Sequence, residues 1–586
     1  MAEKFYTSEV NKQILIQLLK AHNIHKVIAS PGATNITFIG SIQNDPWFEI
    51  YSSVDERSAA YMACGMAAES GEPVVLTCTG ATASRNYIPG LTEAFYRKLP
   101  VLAVTASQHF GRAGQYIPQM LDRSRPPIDC VKMNVNIPMI HTDEDRQLYT
   151  VKMNDAILEL RHSGGGPVLI NIVTEYSPDF SVHELPPVKV INRIEPEDEM
   201  PPIKAGTVGI FIGAHPAMSE RLTGLIDSFC EKYNGAVLCS HISNYRGKYE
   251  IHPNLVPLSP RQGMDLMIYI GTTEGAYTSL RPSEVWQVNP DGVVRDRFGK
   301  LRYVFQMSDE EFFSRYVNMP TRGGGVNCSY YTAWRNDYDY VRARVPELPF
   351  SNAWIAQNTI DKLPANSVLH LGVSNTRRCW NMFELPKTVN GYCNTGCCGI
   401  DGCISSLIGA SLASPGKLFF GVTGDLTFFY DMNSIGNRHV GKNLRIMIIN
   451  NGIGAEFKLY THPAASFGDD ADRFMAARGH FGQQSRDLVR HYAQDLGFEY
   501  MTAANKEEYL ANVIRFTTPE TLDRPMLFEV FTNPKDESDA LYAINNIDVT
   551  DILPPSMRAK NLAKQTVKSV LGSDGVKTLK KIIGRQ

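Results

Sequence analysis

A chain of 586 residues is too long to be served by one hydrophobic core, so several domains are expected. Hydrophobic residues at 43%, charged residues at 20% and a formal net charge of −3 describe an ordinary globular protein and give no electrostatic basis for binding nucleic acid. No apolar run reaches the length of a membrane span and the opening "MAEKFYTSEVNKQ" lacks a signal-peptide core, so a cytoplasmic location is expected.

In chain order, "FEIYSSV" (48–54) reads as a strand and "DERSAAYMACGMAAES" (55–70) as a helix closed by Gly71. "PVVLTCT" (73–79) is a second strand, followed by a helix through Arg97 and a strand at Val101–Thr105. This βαβαβ order implies a parallel sheet with helices on its faces. The proline- and charge-rich stretch at 183–203 reads as a linker. A second α/β pattern runs through "TVGIFIG" (207–213), "DLMIYIG" (265–271) and "VWQVNP" (285–290), and a second break falls near "RVPELPFSN" (344–352). A third repeats the architecture with the buried strands "NSVLHLG" (366–372), "KLFFGVT" (417–423) and "LRIMIIN" (444–450). The expected fold is therefore α/β, with three doubly wound parallel-sheet domains at 1–185, 200–343 and 350–550 and a basic, helical C-terminal tail at 551–586. That tail carries eight Lys/Arg against two Asp, with apolar residues at helical spacing. A helix packed on its own oligomer is favoured there over a membrane-surface helix.

Eleven cysteines in so long a chain do not form a disulfide framework. Five of them (Cys379, Cys393, Cys397, Cys398 and Cys403) crowd together without paired C-x-x-C spacing or nearby histidines, so buried free thiols are expected rather than zinc. "GIFIGAHPAMSE" (209–220) is a faint Gly-rich turn after a strand and falls short of a dinucleotide or flavin fingerprint.

The most informative stretch is "GDLTFFYDMNSIGNRHVGKNLRIMIINNG" (424–452). Gly424-Asp425 follows one apolar strand and Asn450-Asn451 the next, with a helix as the crossover. Ligands of open parallel sheets sit outside the carboxyl ends of the strands, and adjacent strands would bring Asp425 and Asn451 close together. A carboxylate, an amide oxygen and a nearby backbone carbonyl, assigned to Ile453, make an oxygen-only cation site suited to magnesium holding a diphosphate. Gly424 lets the backbone approach, and the helix opening at Leu426 aims N–H groups at anionic oxygens. The competing reading is an Asp helix cap and an Asn-Gly turn, which is the better account of either half alone.

The Gly-Asp…Asn-Asn arrangement resembles the signature of thiamine diphosphate enzymes, and the resemblance implies a glutamate that activates the cofactor's aminopyrimidine. "SSVDERSAAYMACGMAAES" (52–70) is similar to that element, with Glu56 as the glutamate. The alternative for Glu56 is an acid favoured by the helix dipole in a first turn. By the same resemblance the first domain binds the pyrimidine, the third binds the diphosphate, and a homodimer or homotetramer is expected because both halves must touch one cofactor.

Within that family the chain most resembles the menaquinone-pathway synthases that join a decarboxylated 2-oxoglutarate unit to isochorismate, through "VDERSAA", "NTGCCGIDG" (394–402), "GDLTFFYDMNS" and "NNGIGAEF". The resemblance makes Ile400 the apolar wedge that bends the cofactor, Gln115 of "GQYIPQ" an active-site residue, and Phe457 a pocket aromatic. Ser374 and Arg378 of "GVSNTRRCW" match positions near diphosphate and substrate. The departures fall on substrate positions. The "SPGSRST" loop is here "SPGATNI", so a serine and an arginine become Ala33 and Thr34. A further arginine is replaced near Gln108, and the "NRG" arginine becomes Thr395. Arginines suit dicarboxylates because their planar forks grip carboxylates in pairs. The cofactor machinery is thus retained with a rebuilt acceptor site. The expected activity is a thiamine diphosphate- and magnesium-dependent carboligase adding an acyl anion from a 2-oxo acid to an aldehyde, ketone or similar acceptor. Alternatives are a simple 2-oxo acid decarboxylase and a non-catalytic nucleotide-binding relative.

Overall fold

The computed structural model of the chain describes residues 5–274, 279–320, 327–480 and 485–553. The predicted tail lies outside the described residues from position 554 onward. The chain divides into two compact units. The first runs to Met200 and includes Asn289–Met307; the second comprises Pro201–Val288 and the chain from Ser308 onward.

The first unit is built on six strands: β1 (Lys26–Ala29), β2 (Glu49–Ser52), β3 (Val74–Thr79), β4 (Val101–Ser107), β5 (Met133–Ile137) and β6 (Val168–Val173). They lie in the order β2-β1-β3-β4-β6-β5, and all pairs are parallel. Every residue of β4 and β6 is buried, as expected for a sheet covered by helices on both faces. The helix after β2, Glu56–Ser70, starts at Asp55, whose side chain accepts from the N–H groups of Arg57 and Ser58, and stops at Gly71 with φ 68°. Part of the predicted linker is not a loop. β7 (Asn192–Ile194) lies inside it and pairs in parallel with a strand in the segment 289–307.

In the second unit, β8 (Val208–Ile212), β9 (Gly235–Leu238), β10 (Glu250–Ile251), β11 (Gly263–Ile270) and β12 (Arg281–Val288) form the parallel run β10-β9-β8-β11-β12. The glycine after β8 serves packing: a Cβ on Gly213 would sit 1.9 Å from the Thr272 carbonyl oxygen. The other glycine of the faint pattern at 209–220 is also a packing residue, since a Cβ on Gly209 would sit 2.4 Å from Met264 Sδ. β13 (Leu301–Phe305) is the partner of β7 in the first unit.

The last six strands are β14 (Val368–Leu371), β15 (Asn390–Tyr392), β16 (Phe419–Gly424), β17 (Leu444–Asn450), β18 (Glu499–Ala503) and β19 (Met526–Phe531). Their order, β15-β14-β16-β17-β19-β18, repeats the order of the first sheet strand for strand, again with every pair parallel. The chain is thus an α/β protein with three parallel sheets. In this topology the connections leaving β14 and β16 depart to opposite sides, which opens a crevice at the carboxyl ends of those strands. Among the described residues no helix is long and apolar enough to cross a membrane.

Candidate functional site

The crevice at β14 and β16 is a cavity of about 240 Å³. Its walls come from the segments that follow β14, β15, β16 and β17, and it gathers Ser374, Ile400, Gly424, Asp425, Leu426, Asn451, Ile453 and Phe457. The register explains the convergence: β16 and β17 are adjacent and parallel, with Gly424 opposite Ile449. Residues 425 and 451 therefore leave neighbouring strand ends.

Asp425 is only 4% exposed. Burial raises its carboxyl to about 7, although the N–H groups of Leu426, Asp425 and Gly452 pull it down and the nearby Glu529 pushes it further up. No Lys or Arg pairs with it among the described residues. Two further buried acids lie behind the crevice, Glu529 near Asp425 and Glu537 beside Asn451. Glu529 accepts from Asn450 Nδ2 at 2.7 Å and from the Tyr500 hydroxyl at 2.8 Å. Glu537 accepts from the Thr532 hydroxyl at 2.6 Å and the Asn352 N–H at 3.0 Å, and burial lifts it to about 7. Buried carboxylates without a countercharge are costly unless a cation joins them. The Asn451 side-chain oxygen accepts the Ile453 N–H at 3.3 Å, which fixes the loop around it. The donor set is oxygen only and fits magnesium.

Ser374, which precedes the helix Asn375–Trp380, has φ 67° and ψ −128°. A non-glycine residue held in that region marks backbone strain of the kind that persists at binding sites. Ser374 and Ile400 also border a larger cavity of about 530 Å³, together with Arg377, Arg378, Cys398 and Glu456. Ile400 thus lines both the strand-end crevice and the larger space beside it.

Other sequence-predicted residues take different places. Thr395 is buried, and its hydroxyl donates to the Thr273 carbonyl at 2.9 Å, so it is committed to the fold. In the first unit, Thr34 is also buried, with its hydroxyl bound to Thr79 and the Ala106 carbonyl. Ala33 is exposed. Arg123, absent from the sequence reading, lies against the carboxyl end of β4 there. It is 8% exposed and donates to the hydroxyls of Thr105 and Ser107, the latter at 2.6 Å. Burial lowers its pKa. Gln108 binds Arg112 and donates to the Tyr176 hydroxyl at 3.3 Å. Gln115 is exposed on the loop after β4, its N–H on the Arg112 carbonyl at 3.2 Å. Glu56 is half-buried at the first turn of its helix and accepts from Asn86 Nδ2 at 3.3 Å.

Of the five crowded cysteines, Cys379 and Cys403 are buried and Cys393 half-buried, but Cys397 and Cys398 are exposed, which corrects the expectation of buried thiols for that pair. Sequence reasoning also passed over Arg377 and Glu456. Arg377 stands beside Arg378 in "NTRRCW", and Glu456 sits five residues after Asn451 in "NNGIGAEF", so the doubled arginine and the single acid beyond the Asn-Asn turn were the available signals.

The family described as "Thiamine pyrophosphate enzyme, N-terminal TPP binding domain" matches residues 11–125. A protein of Bacteroides fragilis named 2-succinyl-5-enolpyruvyl-6-hydroxy-3-cyclohexene-1-carboxylate synthase is 32% identical over 579 residues, covering 92% of this chain and 98% of its own length. The protein of the same name from Phocaeicola vulgatus is 31% identical, with the same coverages of 92% and 98%. A solved structure, the thiamine diphosphate-dependent 4-hydroxybenzoylformate decarboxylase of Rhodococcus jostii, is 18% identical with a TM-score of 0.39, covering 89% of this chain and 99% of that one. With relatives of that identity matched along nearly their whole length, and a strand-end crevice lined by a buried, uncompensated aspartate, the chain belongs to the thiamine pyrophosphate enzymes.

Proposed function

We propose that the protein is a magnesium-dependent carboligase that decarboxylates a 2-oxo acid and joins the acyl unit to an aldehyde, ketone or similar acceptor. The observation that carries the reading is Asp425, a buried carboxylate with no cation partner among the described residues, in a cavity it shares with Asn451. Thiamine diphosphate, when bound, supplies the electron sink for 2-oxo acid decarboxylation.

The chain's own residues do the rest. Asp425, the Asn451 side-chain oxygen and the Ile453 carbonyl would hold a magnesium ion, whose charge would neutralise the diphosphate. Gly424 and Leu426 offer backbone without bulk beside it, and Ser374 closes the other wall. Ile400 borders both the crevice and the larger cavity, which would receive the acceptor. Glu56 would stand against the pyrimidine, and Gln115 would orient the donor. Phe457 lends an apolar edge; its ring meets His462 edge-on at 5.2 Å. Arg378 faces the larger cavity. A space of about 530 Å³ beyond Ile400 favours an acceptor molecule over simple protonation and release of an aldehyde.

The smallest active unit is a homodimer, with a homotetramer as its doubled form. In support, the Glu56 helix and the residue just before its cap expose Val54, Tyr61 and Met62, and the helix Ile88–Tyr96 exposes Tyr96, more apolar side chain than a free helix face usually shows water.

The test is calorimetric titration of thiamine diphosphate with and without magnesium. Binding that requires the metal and is lost in Asp425→Ala supports the reading. Equal binding in a chelator or in that variant contradicts it.

A further inference from the structure

Glu456 borders three cavities: the crevice of about 240 Å³, the space of about 530 Å³, and a third of about 490 Å³ that also includes Tyr460, His462 and Tyr542. Its Oε1 accepts from Arg378 Nη2 at 2.9 Å, and the two side chains are 24% and 28% exposed. The other terminal nitrogen of Arg378 donates to Asn375 Oδ1. The arginine positioned to grip a substrate carboxylate is therefore already answered by a carboxylate of its own chain.

Its neighbour is answered too. Arg377 is 5% exposed and pairs with the buried Glu274 at 2.7 Å. The cavity wall thus carries two cations and one anion: Arg378 is matched by Glu456 within the lining, and Arg377 by Glu274, which lies outside it. What remains of the lining is neutral: Pro253, Val373 and Met382 are apolar, and Asn254 and Asn545 are amides. A substrate carboxylate seeking Arg378 would have to displace Glu456 and then lie beside its charge. Like charges brought to contact in a partly desolvated site repel strongly.

We infer that Glu456 is a specificity-determining residue that occupies Arg378 in place of a substrate carboxylate, so that the cavity takes an uncharged carbonyl acceptor and rejects an anionic one. This rests on the carboligase reading for the identity of the cavity. Glu456 acts through Arg378, and its effect is read as ligand selectivity.

Succinate serves as the dicarboxylate probe, titrated by calorimetry into the full-length protein and its Glu456→Gln and Glu456→Gln/Arg378→Gln variants. Glu456→Gln keeps the shape and an acceptor oxygen while removing the charge. It is expected to bind succinate at least roughly tenfold more tightly than the unaltered protein, with the gain lost in the double variant. Equal behaviour of the unaltered protein and Glu456→Gln, whether both bind or neither does, overturns the inference, as does a gain that survives loss of Arg378. Thiamine diphosphate with magnesium is titrated into the same samples. If it fails to bind the unaltered protein the carboligase reading falls, while the succinate comparison still decides the role of Glu456.

Discussion

Replacing Asp425 by asparagine removes a charge from a place that cannot solvate it. Burial lifts this carboxyl from 3.8 to about 7. At about 1.36 kcal/mol per pH unit, ionisation costs the cofactor-free fold up to roughly 4 kcal/mol. The sign follows from the direction of the shift. The folded protein holds this proton more tightly than the unfolded chain, so the cofactor-free protein loses stability as pH rises from about 3.8 towards about 7, and the loss is complete above that. Asparagine cannot ionise and escapes the loss. Urea unfolding of cofactor-free protein at pH 8 should therefore show Asp425→Asn more stable than the unaltered chain by about 1–4 kcal/mol, the difference closing as pH falls towards about 4. Magnesium with thiamine diphosphate should reverse the order, because only the ionised aspartate gains from the metal. An Asp425→Asn protein less stable than the original at pH 8 without cofactor would refute the reasoning.

Glu56→Gln keeps shape and hydrogen bonding but cannot share an acidic proton; it should retain cofactor while exchange of the thiazolium C2 hydrogen for deuterium slows at least roughly a hundredfold. Unaltered exchange, followed by nuclear magnetic resonance of the quenched cofactor, would remove Glu56 from that role. Sedimentation at decreasing concentration should show a dimer or tetramer whose activity falls as it dissociates. A monomer that stays fully active on dilution would contradict the proposed assembly.

Much of this fold was legible because strands buried on both faces read as unbroken apolar runs. The expected strands at 417–423 and 444–450 correspond to β16 at Phe419–Gly424 and β17 at Leu444–Asn450. The spacing of Asp425 and Asn451 was legible for the same reason, since parallel neighbours put their carboxyl ends side by side. β7 was hidden because three residues flanked by prolines and charges resemble a linker until a partner strand is present. Side-chain direction was not legible either. Thr34 and Thr395 stand at positions the resemblance assigns to substrate, yet their hydroxyls turn into the fold, towards Ala106 and Thr273. Pairing across loops was the last thing hidden. Nothing in the spacing of "NTRRCW" and "NNGIGAEF" says that Arg378 will meet Glu456; only the folded backbone brings position 378 to 456.

The central claim is that a thiamine enzyme closely related to menaquinone-pathway synthases has a rebuilt acceptor site, and one assay tests it most directly. Purified protein loaded with thiamine diphosphate and magnesium is given isochorismate with 2-oxoglutarate, and separately a panel of monocarboxylic 2-oxo acids with uncharged aldehydes and ketones. Isochorismate consumption and carbon dioxide release are followed together. The account predicts no appreciable loss of isochorismate, with carbon dioxide released from a panel 2-oxo acid and a ligated product formed. Efficient consumption of isochorismate would contradict it.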